Sequence, residues 1–183
     1  MSSAMPRPAA LPPVTLVLGG ARSGKSRHAE GLVEAAAAAA TYCATAEAGD
    51  AEMAARIAAH RARRGPFWRT VEAPLDLAAA IVAEARPDRP LLVDCLTLWL
   101  SNLLQAGRCA EDESEALAAA LRRAAGPVVL VANEVGLGIV PDTPLGRRFR
   151  DLAGRLNQEV AQAADHVVFV AAGLPLVLKH GCG

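Results

Sequence analysis

Eight consecutive residues, Gly19, Gly20, Ala21, Arg22, Ser23, Gly24, Lys25 and Ser26, match the spacing GxxxxGK[ST] in full. Glycines let a backbone wrap closely around phosphate oxygens. The N–H groups of such a loop, and of the helix it opens, point at negative charge. In this pattern the Lys25 ammonium reaches the β- and γ-phosphates of a nucleoside triphosphate and the Ser26 hydroxyl ligates Mg2+. The chemistry on offer is therefore binding of a nucleoside triphosphate with magnesium and transfer of part of it to an acceptor. A second acidic group must hold the metal or its waters. Asp94, directly after the apolar Leu91-Leu92-Val93, fits that place; its other reading is a helix cap at a strand end. Glu134 also follows an apolar run and competes, and position alone does not rank the two.

A second constellation lies between Asp50 and Arg64. On a helix, Arg56, His60 and Arg64 follow one another at four-residue spacing and share a face, while Met53, Ile57 and Arg61 lie on an adjoining one. Basic groups stacked in this way repel one another once His60 is protonated, and an anionic ligand relieves the repulsion. The cluster reads as a second phosphate-handling site with His60 as candidate nucleophile or general base. The plainer alternative is a solvated basic face carrying a surface histidine. His28 reads as structural or peripheral, and His166 and His180 receive no role.

These residues need elements to hold them. Val14–Leu18 reads as a buried strand ending in Gly19-Gly20, and Lys25–Ala40 as an Ala-rich helix. Thr41–Ala44 reads as a second strand and Asp50–Arg64 as a helix, with Asp50 as N-cap and Gly65-Pro66 as its stop. Trp68–Glu72 reads as a short extended piece and Leu75–Ala85 as a helix. Leu91–Val93 reads as a strand, followed by helices over Leu96–Gln105 and Glu111–Ala124. Val128–Ala132 is a further strand. Thr143-Pro144 opens a helix on which Leu145, Phe149, Leu152, Leu156 and Val160 recur at helical spacing. His166–Val170 and Leu176–Lys179 complete the strands. The alternation predicts an α/β fold with a mostly parallel central sheet flanked by helices. Ligands of such sheets bind beyond the carboxyl ends of the strands. That singles out Gly19 onward, Thr45, Asp94 and Asn133-Glu134.

The chain has 183 residues, 52% of them hydrophobic, enough for one globular domain. We expect it over residues 14–183, after a disordered N-terminal tail at 1–13. Acidic and basic residues balance at 19 each, which is no signature of a nucleic-acid partner. Cys43, Cys95, Cys109 and Cys182 form no CxxC pair, so they read as reduced thiols rather than a zinc site. There is no signal-peptide run, and no stretch approaches the roughly 18 apolar residues of a membrane span. The expectation is a cytoplasmic protein.

The motifs also carry a resemblance. Gly19 to Arg27, Ala44-Thr45-Ala46, and Glu52 to Ile57 followed by His60-Arg61 form one part of it. Trp68-Arg69-Thr70 with Glu72, Asn133 to Pro141 (NEVGLGIVP), and Arg148 to Asp151 complete it. Together they resemble the bifunctional adenosylcobinamide kinase / adenosylcobinamide-phosphate guanylyltransferase family of cobalamin biosynthesis, over about Thr15 to Lys179. The Asn-Glu-Val-Gly-x-Gly-Ile-Val-Pro string is far more specific than the phosphate loop.

The resemblance implies a RecA-like P-loop fold and a homotrimer. It implies two reactions: phosphorylation of the corrinoid adenosylcobinamide by ATP or GTP, then transfer of GMP from GTP to the new phosphate with release of pyrophosphate. It implies a guanylylated histidine, here His60, preceded by Ala59 where some relatives carry a second histidine. Lys25 and His60 become the catalytic residues. The nucleotide contacts it implies are Gly19, Gly20, Ala21, Arg22, Ser23, Gly24, Lys25, Ser26, Ala44, Thr45, Ala46, Arg61, Ala62, Arg63, Arg64, Glu72 and Asp94, with Ser26 and Asp94 holding Mg2+. The competing readings are a RecA-like ATPase coupled to another partner and a nucleotide-binding regulator. Aromatic content is only 3%; Phe67 and Trp68 are the aromatic residues nearest in sequence to the candidate site.

Overall fold

The computed structural model describes residues 10–46 and 65–181. The apolar runs form strands β1 (Val14–Gly19), β2 (Ala40–Ala44), β3 (Trp68–Glu72), β4 (Leu91–Asp94), β5 (Val128–Asn133), β6 (His166–Ala171) and β7 (Leu174–Lys179). Their order across the sheet is β3-β2-β4-β5-β1-β6-β7. All neighbouring strands are parallel except β7, which runs antiparallel to β6. The helices are α1 (Lys25–Ala36), α2 (Leu77–Glu84), α3 (Leu96–Gln105), α4 (Ala110–Arg123) and α5 (Pro144–Ala163).

The central strands are mostly apolar and covered on both faces. Side chains alternate between the faces. On one face Val17, Leu92, Val129, Val131 and Val168 pack against Ala29 and Val33 of α1. On the other, Leu16, Leu18, Val93 and Leu130 pack against Leu77, Trp99, Leu117, Leu156 and their neighbours on α2 to α5. Trp99 is fully buried, and its indole N–H donates to the Leu75 carbonyl at 2.8 Å. Leu11 packs against the α1 face, and the Pro13 carbonyl accepts from the Val128 N–H.

Local chemistry explains most boundaries. Thr143 caps α5 by accepting from the Gly146 N–H at 3.1 Å, with Pro144 in the first turn. α1 stops at Ala36, short of the Ala40 expected from composition. Ala37 is extended and Ala40 is fully buried as the first residue of β2, paired with Trp68. Sheet packing outweighs the intrinsic helix preference of alanine there. β7 begins at Leu174, two residues earlier than expected, after a tight turn in which Ala172 and Gly173 both take left-handed backbone, φ 52° and 79°. The expected helix over 50–64 lies outside the described residues. Among the described residues no helix is long and apolar enough to cross a membrane.

Candidate active site

β1 delivers the chain to the carboxyl edge of the sheet at Gly19, whose carbonyl accepts from the Glu134 N–H at the end of β5 (3.0 Å). A side chain at Gly19 would overlap the Ser23 Oγ and the Val170 carbonyl, each 2.5 Å from an added Cβ. Only glycine fits. The loop then closes on itself through Ser23 N–H to the Gly20 carbonyl (3.3 Å), with left-handed backbone at Arg22 (φ 57°) and Gly24 (φ 95°). α1 starts at Lys25 with no side-chain cap, so the first N–H groups of the helix stay available to an anion.

The β6–β7 turn braces this loop. The Gly173 N–H donates to the Ser23 carbonyl at 2.8 Å, and Gly24 lies so close that an added Cβ would sit 3.2 Å from the Gly173 Cα. In a planar trans peptide the carbonyl and the following N–H point opposite ways. Holding the Ser23 carbonyl toward the hairpin therefore turns the Gly24 N–H away from it. Lys25 is buried, 9% exposed, and its ammonium donates to the Gly20 carbonyl at 3.2 Å. The Ser23 hydroxyl and the Asn133 carboxamide oxygen, both at this edge, are buried without a hydrogen-bond partner among the described residues.

Asp94 ends β4, separated from β1 by β5, about 10 Å across the sheet at the usual strand spacing. It alternates with Leu92 and so faces the α1 side. The Tyr42 hydroxyl donates to its Oδ2 at 2.6 Å. Glu134 uses its carboxylate locally, accepting from the Gly136 N–H at 2.6 Å. The Asp94–Cys95 peptide is cis. Burial, and then the Asp94 carboxylate, push the Cys95 thiol up to about 11.

Thr45 is fully buried and ties strand ends together: its Oγ1 accepts from the Cys95 N–H and donates to the Cys95 carbonyl, each at 2.8 Å. The Asn102 side chain donates to the Thr45 carbonyl at 2.7 Å. Ala44 is buried, Ala46 is half-buried, and Glu72 sits beside Ala44 in the β2–β3 register. Sequence reasoning missed Tyr42, Thr97, Asn157 and Gly173. Thr97 Oγ1 accepts from the Asn133 N–H and Asn157 donates to the Asn133 carbonyl. Tyr42 and Asn157 are ordinary residues of a strand and a helix, Thr97 lies in a helix first turn and Gly173 in the β6–β7 turn, and only the tertiary arrangement brings them to the edge. Phe67 and Trp68 open β3 at the opposite, amino edge, in edge-to-face contact with each other and, for Trp68, with Tyr42. They are packing residues there, and neither lies at the phosphate loop. His60, Arg61, Ala62, Arg63 and Arg64 lie outside the described residues. Burial lowers the His28 pKa.

Residues 15–178 match the family described as cobinamide kinase / cobinamide phosphate guanyltransferase. The chain belongs to this family. It is similar to the bifunctional adenosylcobalamin biosynthesis protein CobP of Pseudomonas aeruginosa, 54% identical over 166 residues, covering 90% of this chain and 96% of that one. It is also 45% identical over 179 residues to the bifunctional adenosylcobalamin biosynthesis protein CobU of Salmonella typhimurium, covering 90% and 98%. Like other members of the cobinamide kinase / guanyltransferase family, the chain is an enzyme. Among solved structures it is similar in fold to the flagellar accessory protein FlaH from Methanocaldococcus jannaschii (TM-score 0.54, 10% identity, 96% of this chain and 83% of that one). The ATPase EscN from the type III secretion system of enteropathogenic E. coli is a second such neighbour (TM-score 0.55, 13% identity, 88% of this chain and 43% of that one). The fold is thus a P-loop NTPase fold, a mostly parallel sheet flanked by helices.

Proposed function

We propose that this enzyme phosphorylates adenosylcobinamide with ATP or GTP and then transfers GMP from GTP to adenosylcobinamide phosphate, giving adenosylcobinamide-GDP and pyrophosphate. The observation that carries the reading is the buried Lys25 ammonium at a braced phosphate loop, in a chain of this family. In the kinase step the N–H groups at Gly20 to Ser26 and the Lys25 ammonium hold the β- and γ-phosphates. Transfer of the γ-phosphoryl group then rests on positioning and charge neutralisation. Ala44 to Ala46, Glu72 and Arg61 to Arg64 take the guanine nucleotide.

The residues fit Mg2+, a hard cation served by oxygen donors. The Ser26 hydroxyl and the Asp94 carboxylate are such donors. Glu134 engages one carboxylate oxygen with the Gly136 N–H, as Asp94 does with the Tyr42 hydroxyl, and the reading places the metal on Asp94. When bound, the ion neutralises phosphate charge.

In the guanylyl step a neutral His60 imidazole nitrogen attacks the α-phosphorus of GTP. The new N–P bond replaces the bond to the β-phosphate oxygen, and pyrophosphate leaves with its charge offset by the neighbouring arginines. The corrinoid phosphate then attacks the same phosphorus and releases His60. A homotrimer in the cytoplasm completes the proposal. Support for self-association comes from β7, an edge strand whose Leu174, Leu176, Val177 and Leu178 are all exposed.

Incubation with adenosylcobinamide, GTP and Mg2+, read by mass spectrometry, tests the reading. The expected products are the corrinoid phosphate and then the corrinoid GDP, with Lys25→Ala blocking the first. GTP turnover without any modified corrinoid would contradict it.

A further inference from the structure

The geometry points to Tyr42 as the residue that orients Asp94 toward the metal–nucleotide complex, an inference that rests on the reading of Asp94 as a Mg2+ partner. Tyr42 sits in the middle of β2, 2% exposed, beside Leu92 in the β2–β4 register. Its ring packs on the α1 face and meets the edge of Trp68 at 5.8 Å. From there its hydroxyl reaches along the sheet to Asp94 Oδ2 at 2.6 Å. Among the described residues the bond engages Oδ2 alone. A carboxylate without a fixed partner swings freely, because its terminal torsion is broad. A buried phenol donating to one oxygen fixes the carboxylate plane and leaves the other oxygen for the cation or its water, the role that outer partners of metal-binding carboxylates commonly play. Tyr42 is thus a positioning residue.

Tyr42→Phe keeps the ring and removes the hydroxyl that donates to Asp94. The probe is Mn2+, titrated by electron paramagnetic resonance into full-length enzyme with a GTP analogue carrying a methylene bridge between the α- and β-phosphorus. Tyr42→Phe is expected to weaken Mn2+ about three- to tenfold, the worth of one hydrogen bond, while metal-free analogue binding stays unchanged. In turnover the concentration of Mg2+ for half-maximal rate rises while the rate at saturating Mg2+ holds. Asp94→Asn is expected to weaken Mn2+ further, and adding Tyr42→Phe to it should cost nothing more. If Asp94→Asn binds Mn2+ as the parent does, the reading of Asp94 fails and takes the proposal with it. If Asp94→Asn weakens Mn2+ but Tyr42→Phe does not, the proposal alone is overturned. If Tyr42→Phe weakens Mn2+ equally in the Asp94→Asn background, its effect is general packing and the proposal is likewise overturned.

Discussion

Lys25 is a buried ammonium whose hydrogen-bond partner among the described residues is one loop carbonyl. An ammonium has three donors, so burial leaves most of its hydration unreplaced, and such a group costs stability until an anion arrives. We therefore expect Lys25→Met to lose GTP affinity by about tenfold or more in calorimetry while its melting temperature holds or rises, as for other buried charges replaced by apolar groups. A variant that melts several degrees lower would show that the ammonium serves the fold instead. The cysteines give a second prediction. Burial pushes Cys43 up to about 12 and Cys95 up to about 11, whereas Cys109 is exposed. The thiolate is the reactive form, so iodoacetamide at pH 8 should modify Cys109 in the folded enzyme and reach Cys43 and Cys95 only in denaturant. Modification of Cys95 at the rate of Cys109 would contradict the packing. The places of Lys25, Asp94 and Glu134 at the ends of buried runs were legible from spacing, but spacing did not choose between the two carboxylates. Tyr42 was not legible: a tyrosine inside a strand carries no sign of the carboxylate it will meet on the next strand.

Among the elements, the β6–β7 hairpin does more than finish the sheet. Its Gly173 N–H holds the Ser23 peptide, and its φ of 79° suits glycine. Gly107, between α3 and α4, has a similar φ of 69° and open space around it. Alanine in left-handed backbone costs about 1–2 kcal/mol, so Gly173→Ala and Gly107→Ala should lower stability similarly. Only Gly173→Ala should also weaken GTP binding. Equal GTP affinity in the two variants would remove the hairpin from the site. The strands at Leu91 and Val128 and the cap at Thr143 could be read from the chain, because apolar runs and cap residues act locally. The end of α1 could not. Ala35 to Ala40 is one composition, and only the place of Ala40 in the sheet divides it into helix, turn and strand. The role of the hairpin was hidden for the same reason: Gly173 and Ser23 are far apart in sequence.

At the scale of the whole molecule, the apolar surface of β7 asks to be covered. Exposed Leu176 and Leu178 lie on the same face of an edge strand. Sedimentation should find the parent as an oligomer and Leu176→Lys with Leu178→Lys as a smaller species of unchanged secondary structure. A monomeric parent would contradict the trimer. The guanylyl step proposed for this chain rests on one claim, that His60 carries GMP from GTP to the corrinoid phosphate. The direct measurement is incubation with Mg2+ and GTP labelled at the α-phosphate, followed by denaturation, with His60→Ala in parallel. Acid-labile, base-stable label is expected on the parent chain and none on the variant. Label on neither chain while GTP still binds, or label that survives His60→Ala, would contradict it.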